Sequence, residues 1–367
     1  MITADNLQES FVKVLLDVVN GGDTVVARGM ETKEIHPCYI TINNPCKRTM
    51  LYPKRGNNPF QALAETMWVL AGRDDVAWLL PFLPRAAEFS DDGVVWRAGY
   101  GKRIRHFSGI TDLPDKESNP DQCDCALQDE VDQIKYVIDT LKEDLYSRRA
   151  IISLWDPVKE GTVKKSIDFP CNNWVHFMYR NGAMDCEVVV RSNDAVWGYS
   201  SVNVYEWTVL QEIIAAVMGV KVGKLFYYTS SMHIYERHYE KAKELIKSYV
   251  EMPDLPVFKF ANDVHNYEGY VEEVESMVTH IKLLTISADT ALCKSNMEIR
   301  HLLFAYLKFV NHHKETGEYS MIMSGACDHL RNVKFSDLLV ACVWWMKKKE
   351  LKKYVDFTES IDYCKGF

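Results

Sequence analysis

The stretch Phe169-Pro170-Cys171-Asn172-Asn173-Trp174, followed further along by Arg191-Ser192-Asn193-Asp194, decides how the rest of the chain is read. Between them, Val175-His176-Phe177-Met178-Tyr179 alternates with period two, Asn181-Gly182 supplies a turn, and Cys186-Glu187-Val188-Val189-Val190 reads as a second strand. Two such runs around Asn-Gly predict a β-hairpin. The hairpin brings Cys171, at the start of one strand, close to Arg191 and Ser192, at the end of the other. A thiol beside a guanidinium can be held as thiolate, its nucleophilic form. The same arginine and serine can hold a phosphate, so the pairing points to covalent catalysis on an anionic substrate. The competing reading is one buried cysteine among ten, since free cysteine is commonly core.

Composition narrows the substrate. The 367 residues are 47% hydrophobic and 26% charged, ordinary for a globular protein with ample core. The net charge of -8 argues against a nucleic-acid polymer and fits a free nucleotide better. No apolar run reaches the roughly eighteen residues of a membrane span, and Met1-Ile2-Thr3-Ala4-Asp5 does not read as a signal peptide, so a cytoplasmic protein is expected. The cysteines are scattered without a Cys-x-x-Cys, and Cys123-x-Cys125 is too close for a usual zinc pair. Reduced thiols and no metal are the simplest reading.

Working outward, residues 7–20 carry helical apolar spacing and stop at Gly21-Gly22, residues 24–29 form a short strand, and residues 34–43 read as another. Residues 59–72 predict a helix capped by Asn58, with Glu65 one position off its apolar face. Residues 108–129 are polar and rich in Asp, Pro and Ser, a surface insertion. A helix over 129–144, an apolar strand over 150–155, a very apolar helix over 203–218 and a strand over 225–229 come next. Residues 271–284, 297–312 and 335–355 read as helices.

Pro170-Cys171, Arg191-Ser192-Asn193-Asp194, Gly198, Asn203, Val222-Gly223 and His233-Ile234-Tyr235 occur in an order that resembles the thymidylate synthase family, which includes phage deoxypyrimidine hydroxymethylases. The interval from Asn203 to His233 matches that family. The interval from Arg191 to Asn203 is one residue longer, which places a one-residue insertion within 199–202. The resemblance runs from about Val25 to Tyr239. It implies an α+β fold, a large mixed β-sheet covered by helices, with two such sheets back to back in a homodimer. Residues 1–250 then form the catalytic domain and 251–367 a mostly helical C-terminal extension that covers the active site or enlarges the dimer.

The resemblance also gives roles to residues that look ordinary alone. Arg28, otherwise a surface arginine, becomes a mobile phosphate ligand. Arg148 and Arg149, otherwise a basic surface, reach across the dimer to the partner's phosphate, a task suited to the arginine fork. Arg191 and Ser192 join them. Glu65, otherwise an exposed helix glutamate, orders water at the pyrimidine, and Tyr100 of Tyr100-Gly101-Lys102 lines the site. His233 and Tyr235, two apart on an extended stretch and so pointing the same way, bond the sugar hydroxyl. Asp194, Trp197 and Gly198 belong to the folate side, and the implied co-substrate is 5,10-methylenetetrahydrofolate. Asn203 is explained well enough as a helix N-cap. Its carboxamide also donates and accepts at once, matching O4 and N3 of uracil, where cytosine-specific relatives carry Asp.

In that family Cys171 would add to C6 of the pyrimidine, and a one-carbon unit joined to C5 would be finished by hydride, giving methyl, or by water, giving hydroxymethyl. Three departures favour water: residues 84–89 lack the family's tryptophans, the C-terminus is not the usual apolar tail, and Asn172 comes after the nucleophile where synthases usually have His. Asn193 in the third place of Arg191-Ser192-Asn193-Asp194 also resembles the hydroxymethylase form. The sequence therefore reads as a deoxyuridylate hydroxymethylase. A divergent thymidylate synthase and a CMP or dCMP hydroxymethylase are the alternatives, and a nucleotide- or RNA-binding relic of the fold is the non-enzymatic one.

Overall fold

A computed structural model describes residues 1–108, 130–261, 264, 266–284, 298–352, 355 and 357–366. The expected insertion beyond residue 108 and Cys123-x-Cys125 lie outside the described residues. Six strands, β1 (Ile2–Ala4), β4 (Cys38–Ile42), β5 (Ile151–Ser153), β6 (Asn172–Arg180), β7 (Ala183–Val190) and β9 (Lys221–Thr229), form one mixed sheet in the order β1-β4-β9-β7-β6-β5. β7 runs parallel to β9 and antiparallel to β6. Four more, β2 (Asp23–Ala27), β3 (Met30–Ile35), β8 (Asn193–Asp194) and β10 (Met232–Tyr235), form a second sheet in the order β2-β3-β10-β8. The α+β expectation holds, with a second, smaller sheet that the sequence reading did not include.

The hairpin forms where Asn181-Gly182 demanded it. Both residues have positive φ, 52° and 82°, and Arg180 pairs with Ala183 across a two-residue turn. That twist matches the right-handed twist of the flanking strands. Along β7, Met184, Cys186, Val188 and Val190 point into the core, while the opposite face of the sheet leaves Tyr39, Phe226 and Ile151 exposed. The register slips between Asn172 and Trp174, beside Cys171. A bulge there re-aims the strand end, a common arrangement next to a reactive residue.

One strand expectation is corrected. Residues 34–43 do not form a single strand: β3 ends at Ile35 and β4 starts at Cys38, in the other sheet. His36-Pro37 lies between them, and proline lacks the N–H a continuous ladder needs.

The helix Pro59–Leu70 begins under its predicted cap, with Asn58 Oδ1 accepting from the Phe60 N–H at 3.1 Å. It packs between the sheet domain and the C-terminal helices. Phe60 meets Tyr306 and Trp345 at ring distances of 4.9 and 5.7 Å. Tyr306 lies on the helix Glu298–Thr316 and Trp345 on the helix Asp337–Leu351. Trp78 donates to the Val278 carbonyl at 3.0 Å, and the Phe258 N–H donates to Asp337 at 2.8 Å. The buried pair Arg48–Glu212, at 2.7 Å, uses its other carboxylate oxygen to accept from the Phe260 N–H. Among the described residues, no helix is long and apolar enough to cross a membrane.

The helix Val204–Val217 is buried along nearly its whole length. It is entered through a π-helical segment, Ala195–Asn203, whose wider turn accommodates an extra residue. This is where the one-residue insertion was expected. Asn203 is consequently no N-cap: its backbone is already helical, φ -60° and ψ -49°, and its side chain makes no capping bond.

Candidate active site

Cys171 lies just before β6 and is half-buried at the wall of a cavity of about 270 Å³. The segment leading to it is held from several sides. Arg97 donates to the Asp168 carbonyl and lies 4.8 Å over the Phe169 ring. Beneath them Glu160 pairs with both Arg97 (2.6 Å) and Arg103 (2.5 Å). Tyr100, at the start of the helix Tyr100–Arg105, receives three bonds on its phenol oxygen. They come from the Cys171 N–H (3.3 Å), the Asn172 N–H (3.2 Å) and Asn172 Nδ2 (2.7 Å). The Asn172 Oδ1 in turn accepts from Trp207 Nε1 at 3.2 Å. A chain of side chains thus links the central helix to the backbone at the thiol. Gly101 lets the helix Tyr100–Arg105 pack closely on the Arg73 backbone, where a Cβ would meet the Arg73 carbonyl at 2.4 Å.

The thiol itself differs from expectation. Arg191 Nη2 stands 3.8 Å from Sγ, as the hairpin required. Burial nevertheless outweighs the attraction of Arg191 and Arg28 and raises the Cys171 pKa. The free protein therefore holds a thiol rather than a preformed thiolate, because desolvation penalises the anion more than two half-solvated guanidiniums favour it. Arg191 is also tied down, donating to the carbonyls of Pro170 (2.9 Å) and Phe169 (3.3 Å).

A second cavity of about 490 Å³ adjoins the first and shares Arg28, Phe169, Ser192, His233 and Tyr235 with it. Arg191, Ser192 and Arg28 make its basic wall. Arg28 sits with Gly29 at the β2–β3 turn, both at positive φ (50° and 76°). Left-handed backbone is uncommon for a residue with a side chain. On β10, His233 and Tyr235 face the cavity together, their rings perpendicular at 5.2 Å. Burial lowers the His233 pKa, so the imidazole is neutral; Nδ1 lies 3.2 Å from Ser231 Oγ. Arg148 and Arg149 are not part of this assembly: they lie exposed ahead of β5 and line neither cavity.

The remaining expected residues line the first cavity. Asp194 caps the π-helical segment, accepting from the N–H groups of Val196 (2.8 Å) and Trp197 (3.1 Å). At Gly198 a Cβ would lie 2.7 Å from Asn193 Oδ1, so any side chain there would push the Asn193 amide aside. Asn203 lines the wall and hydrogen-bonds Tyr227, whose hydroxyl also accepts from Asn193. Glu65, from the facing helix, is not the exposed glutamate that the helix alone predicts. Burial pushes its carboxyl up to about 7, partly offset by Gln61.

Two features escaped the sequence reading. Residues 84–89 hold no tryptophan, but Trp96 joins the expected Trp197 on the cavity wall. Trp96 packs edge-on to Trp68 at 5.4 Å, and Trp197 lies 6.2 Å from Phe89. Glu206 also lines the cavity. Its signal was present: a carboxylate in the most apolar helix, three residues after Asn203 and so on the same face. None of the described residues in 251–367 lines either cavity.

The family model for thymidylate synthase matches residues 9–278, reaching further at both ends than the motifs between Val25 and Tyr239. A deoxyuridylate hydroxymethyltransferase of Bacillus phage SP01 is 36% identical over 225 residues, 61% of this chain and 56% of that protein. One of Pseudomonas phage M6 is 31% identical over 211 residues, 57% of this chain and 54% of that protein. A thymidylate synthase of Varicella-zoster virus (strain Dumas) is 32% identical over 170 residues, 46% of this chain and 52% of that protein. The chain spans about half the length of these curated relatives. With a cysteine, an arginine–serine anion wall and an Asn203 wall meeting in one cleft, and with a match that spans most of its residues, the chain belongs to the thymidylate synthase family.

Proposed function

We propose that the chain is a folate-dependent pyrimidine nucleotide C5 hydroxymethyltransferase that makes 5-hydroxymethyl-dUMP from dUMP. The observation that carries this reading is the continuous cleft joining Cys171, through shared walls, to guanidiniums at one end and carboxyls at the other. Arg28, Arg191 and Ser192 hold the phosphate, and His233 and Tyr235 the sugar hydroxyl. Asn203, with its side chain free of any capping duty, reads the uracil edge. Cys171 loses its proton only in the occupied site and adds to C6, and Tyr100 keeps its backbone in place. Glu65, with a pKa of about 7, sits at the ionisation midpoint near neutral pH and moves protons at the base.

The residues present fit a folate. Phe89, Trp96, Trp197 and Gly198 make an aromatic, apolar wall of the cavity that Asp194 also lines. Next to it, sharing Trp197 and Val202, lies a small cavity with Arg55, where Asn57 Oδ1 is buried without a partner. Such groups suit the polar tail of 5,10-methylenetetrahydrofolate, which when bound supplies the one-carbon unit. The exposed apolar sheet face at Tyr39, Phe226 and Ile151 supports a homodimer, in which Arg148 and Arg149 reach the partner's phosphate. Residues 1–250 form the catalytic domain, and the helices of 251–367 serve as a buttress behind the helix that carries Glu65.

Trp96 and Trp197 favour a second reading, a divergent thymidylate synthase, because an indole wall keeps water from a hydride transfer. One incubation decides. The protein is given dUMP and methylenetetrahydrofolate, the nucleotide is weighed by mass spectrometry and dihydrofolate is followed by absorbance. A hydroxymethyl product without dihydrofolate is expected. A methyl product with stoichiometric dihydrofolate overturns the reading, and product from dCMP or CMP alone overturns the role of Asn203.

A further inference from the structure

The roles given to Cys171, Asn203 and Glu65 leave Glu206 unused. Its side chain is only 3% exposed, it lines the catalytic cavity, and its Oε2 is buried with no hydrogen-bond partner. Glu65 lines the same cavity from the facing helix, near enough for the two charges to repel. Burial and that repulsion raise Glu206 well above the usual carboxylate range, so one carboxyl of the two stays neutral while Glu65 ionises. A buried acid with an unmet oxygen destabilises a fold, and an apolar side chain of similar length would pack there without that penalty. The position is therefore maintained against stability, and what it offers is a hydrogen-bond donor beside a carboxylate at the wall where the pyrimidine must lie.

We propose that Glu206 is a further catalytic residue: as the neutral partner of Glu65 it donates to a water held between the two carboxyls, and this water ends the reaction as the hydroxyl of the product. The proposal rests on the hydroxymethyl reading of the site. After C5 has gained its one-carbon unit and lost its proton, an exocyclic methylene remains on the nucleotide, with Cys171 still bound at C6. The water oxygen bonds to the methylene carbon and its proton passes to the Glu65 carboxylate. The methylene double-bond pair moves toward O4, then returns to form C5=C6 as the sulfur–C6 bond breaks. Cys171 leaves with that bonding pair as thiolate. Nothing is oxidised or reduced in this sequence. Glu206 keeps its proton throughout and fixes the water's lone pair toward the carbon.

The test separates steps before the water from the step that uses it. Release of tritium from C5 of [5-³H]dUMP reports everything up to the methylene; hydroxymethyl product reports water addition. Glu206→Met keeps the volume and removes the donor. Its dUMP affinity and tritium release should stay within about threefold of wild type, while hydroxymethyl product per tritium released falls at least about tenfold. Glu206→Gln, which still donates, should lie between the two. Glu206→Met should also melt at a higher temperature than wild type. A ratio equal to wild type, a parallel fall in tritium release and product, or a lower melting temperature each overturns the proposal. The wild-type reaction distinguishes the two readings: a methyl product from wild type defeats the function itself. Hydroxymethyl product from wild type and Glu206→Met alike defeats only the role of Glu206.

Discussion

At one end of the cleft, Arg28 and Arg191 stand at the surface, on a hairpin turn and a strand end, with Ser192 beside them. At the other end, Glu65 and Glu206 sit on two packed helices. At the basic end, water and backbone carbonyls solvate the guanidiniums. Arg191, for instance, retains two carbonyl contacts. The acidic end is more deeply buried, and burial raises both carboxyls above the range of exposed ones. The difference separates two tasks. Exposed charge attracts and orients an anion, while buried, part-protonated carboxyls can exchange a proton near neutral pH.

If that division is correct, substitutions at the two ends must change different kinetic constants. The largest effect is expected between them, at the thiol. Cys171→Ala should lower tritium release and product by about 10⁴-fold or more, with dUMP binding by calorimetry intact. Retained turnover would make the non-enzymatic reading of this fold live again.

Next comes Glu65→Gln, expected to lower kcat by about 10²–10³-fold with KM for dUMP nearly unchanged. The same variant tests the buried end by stability. A carboxyl whose pKa is raised on folding binds its proton more tightly in the folded state. Its burial is therefore tolerated below the unfolded pKa near 4.5 and costs stability as pH rises through about 7. Glu65→Gln should accordingly raise the melting temperature by a few degrees at about pH 8 and hardly at all at about pH 4.5. Equal shifts at both pH values would mean that Glu65 is not held protonated.

Arg191→Ala should raise KM for dUMP by about 10–100-fold, the value of a charge-assisted pair to phosphate, with a smaller loss in kcat. A kcat loss as large as the KM rise would blur the two ends into one. The smallest effect is expected for Arg28→Ala, about threefold to tenfold in KM and weaker at high salt, because an exposed charge is screened.

What was legible in the sequence was local. Asn181-Gly182 announced the hairpin through positive φ, and Asn58 with Pro59 announced a helix start. The hairpin alone placed Cys171 beside Arg191; Asp194, Asn203, His233 and Tyr235 joined them through the resemblance to the family. What was illegible depended on surroundings that no local pattern encodes. The Cys171 thiol looked activated by its arginine neighbour, yet burial by distant segments decides its charge. The strand over 34–43 divides because its halves join different sheets. Trp96 entered the cavity wall from beyond the searched stretch, and Glu206, a carboxylate in the most apolar helix, gained its partner Glu65 only through the packing of two helices.

The π-helical entry Ala195–Asn203 carries a consequence for how this lineage can change. A wide turn takes up one additional residue without disturbing the helix beyond it, since Val204–Val217 continues as an ordinary α-helix. Insertion and deletion at this spot are thus mutational steps that leave the core helix, and with it Glu206 and Trp207, in register. Only the loop-side neighbours, Trp197 and Gly198, change their aim. The wide turn is an editable hinge in the genetic sense, a place where descendants can retune the cavity wall at Trp197 and Gly198 by single-codon gain or loss while the wall at Glu206 is inherited unchanged.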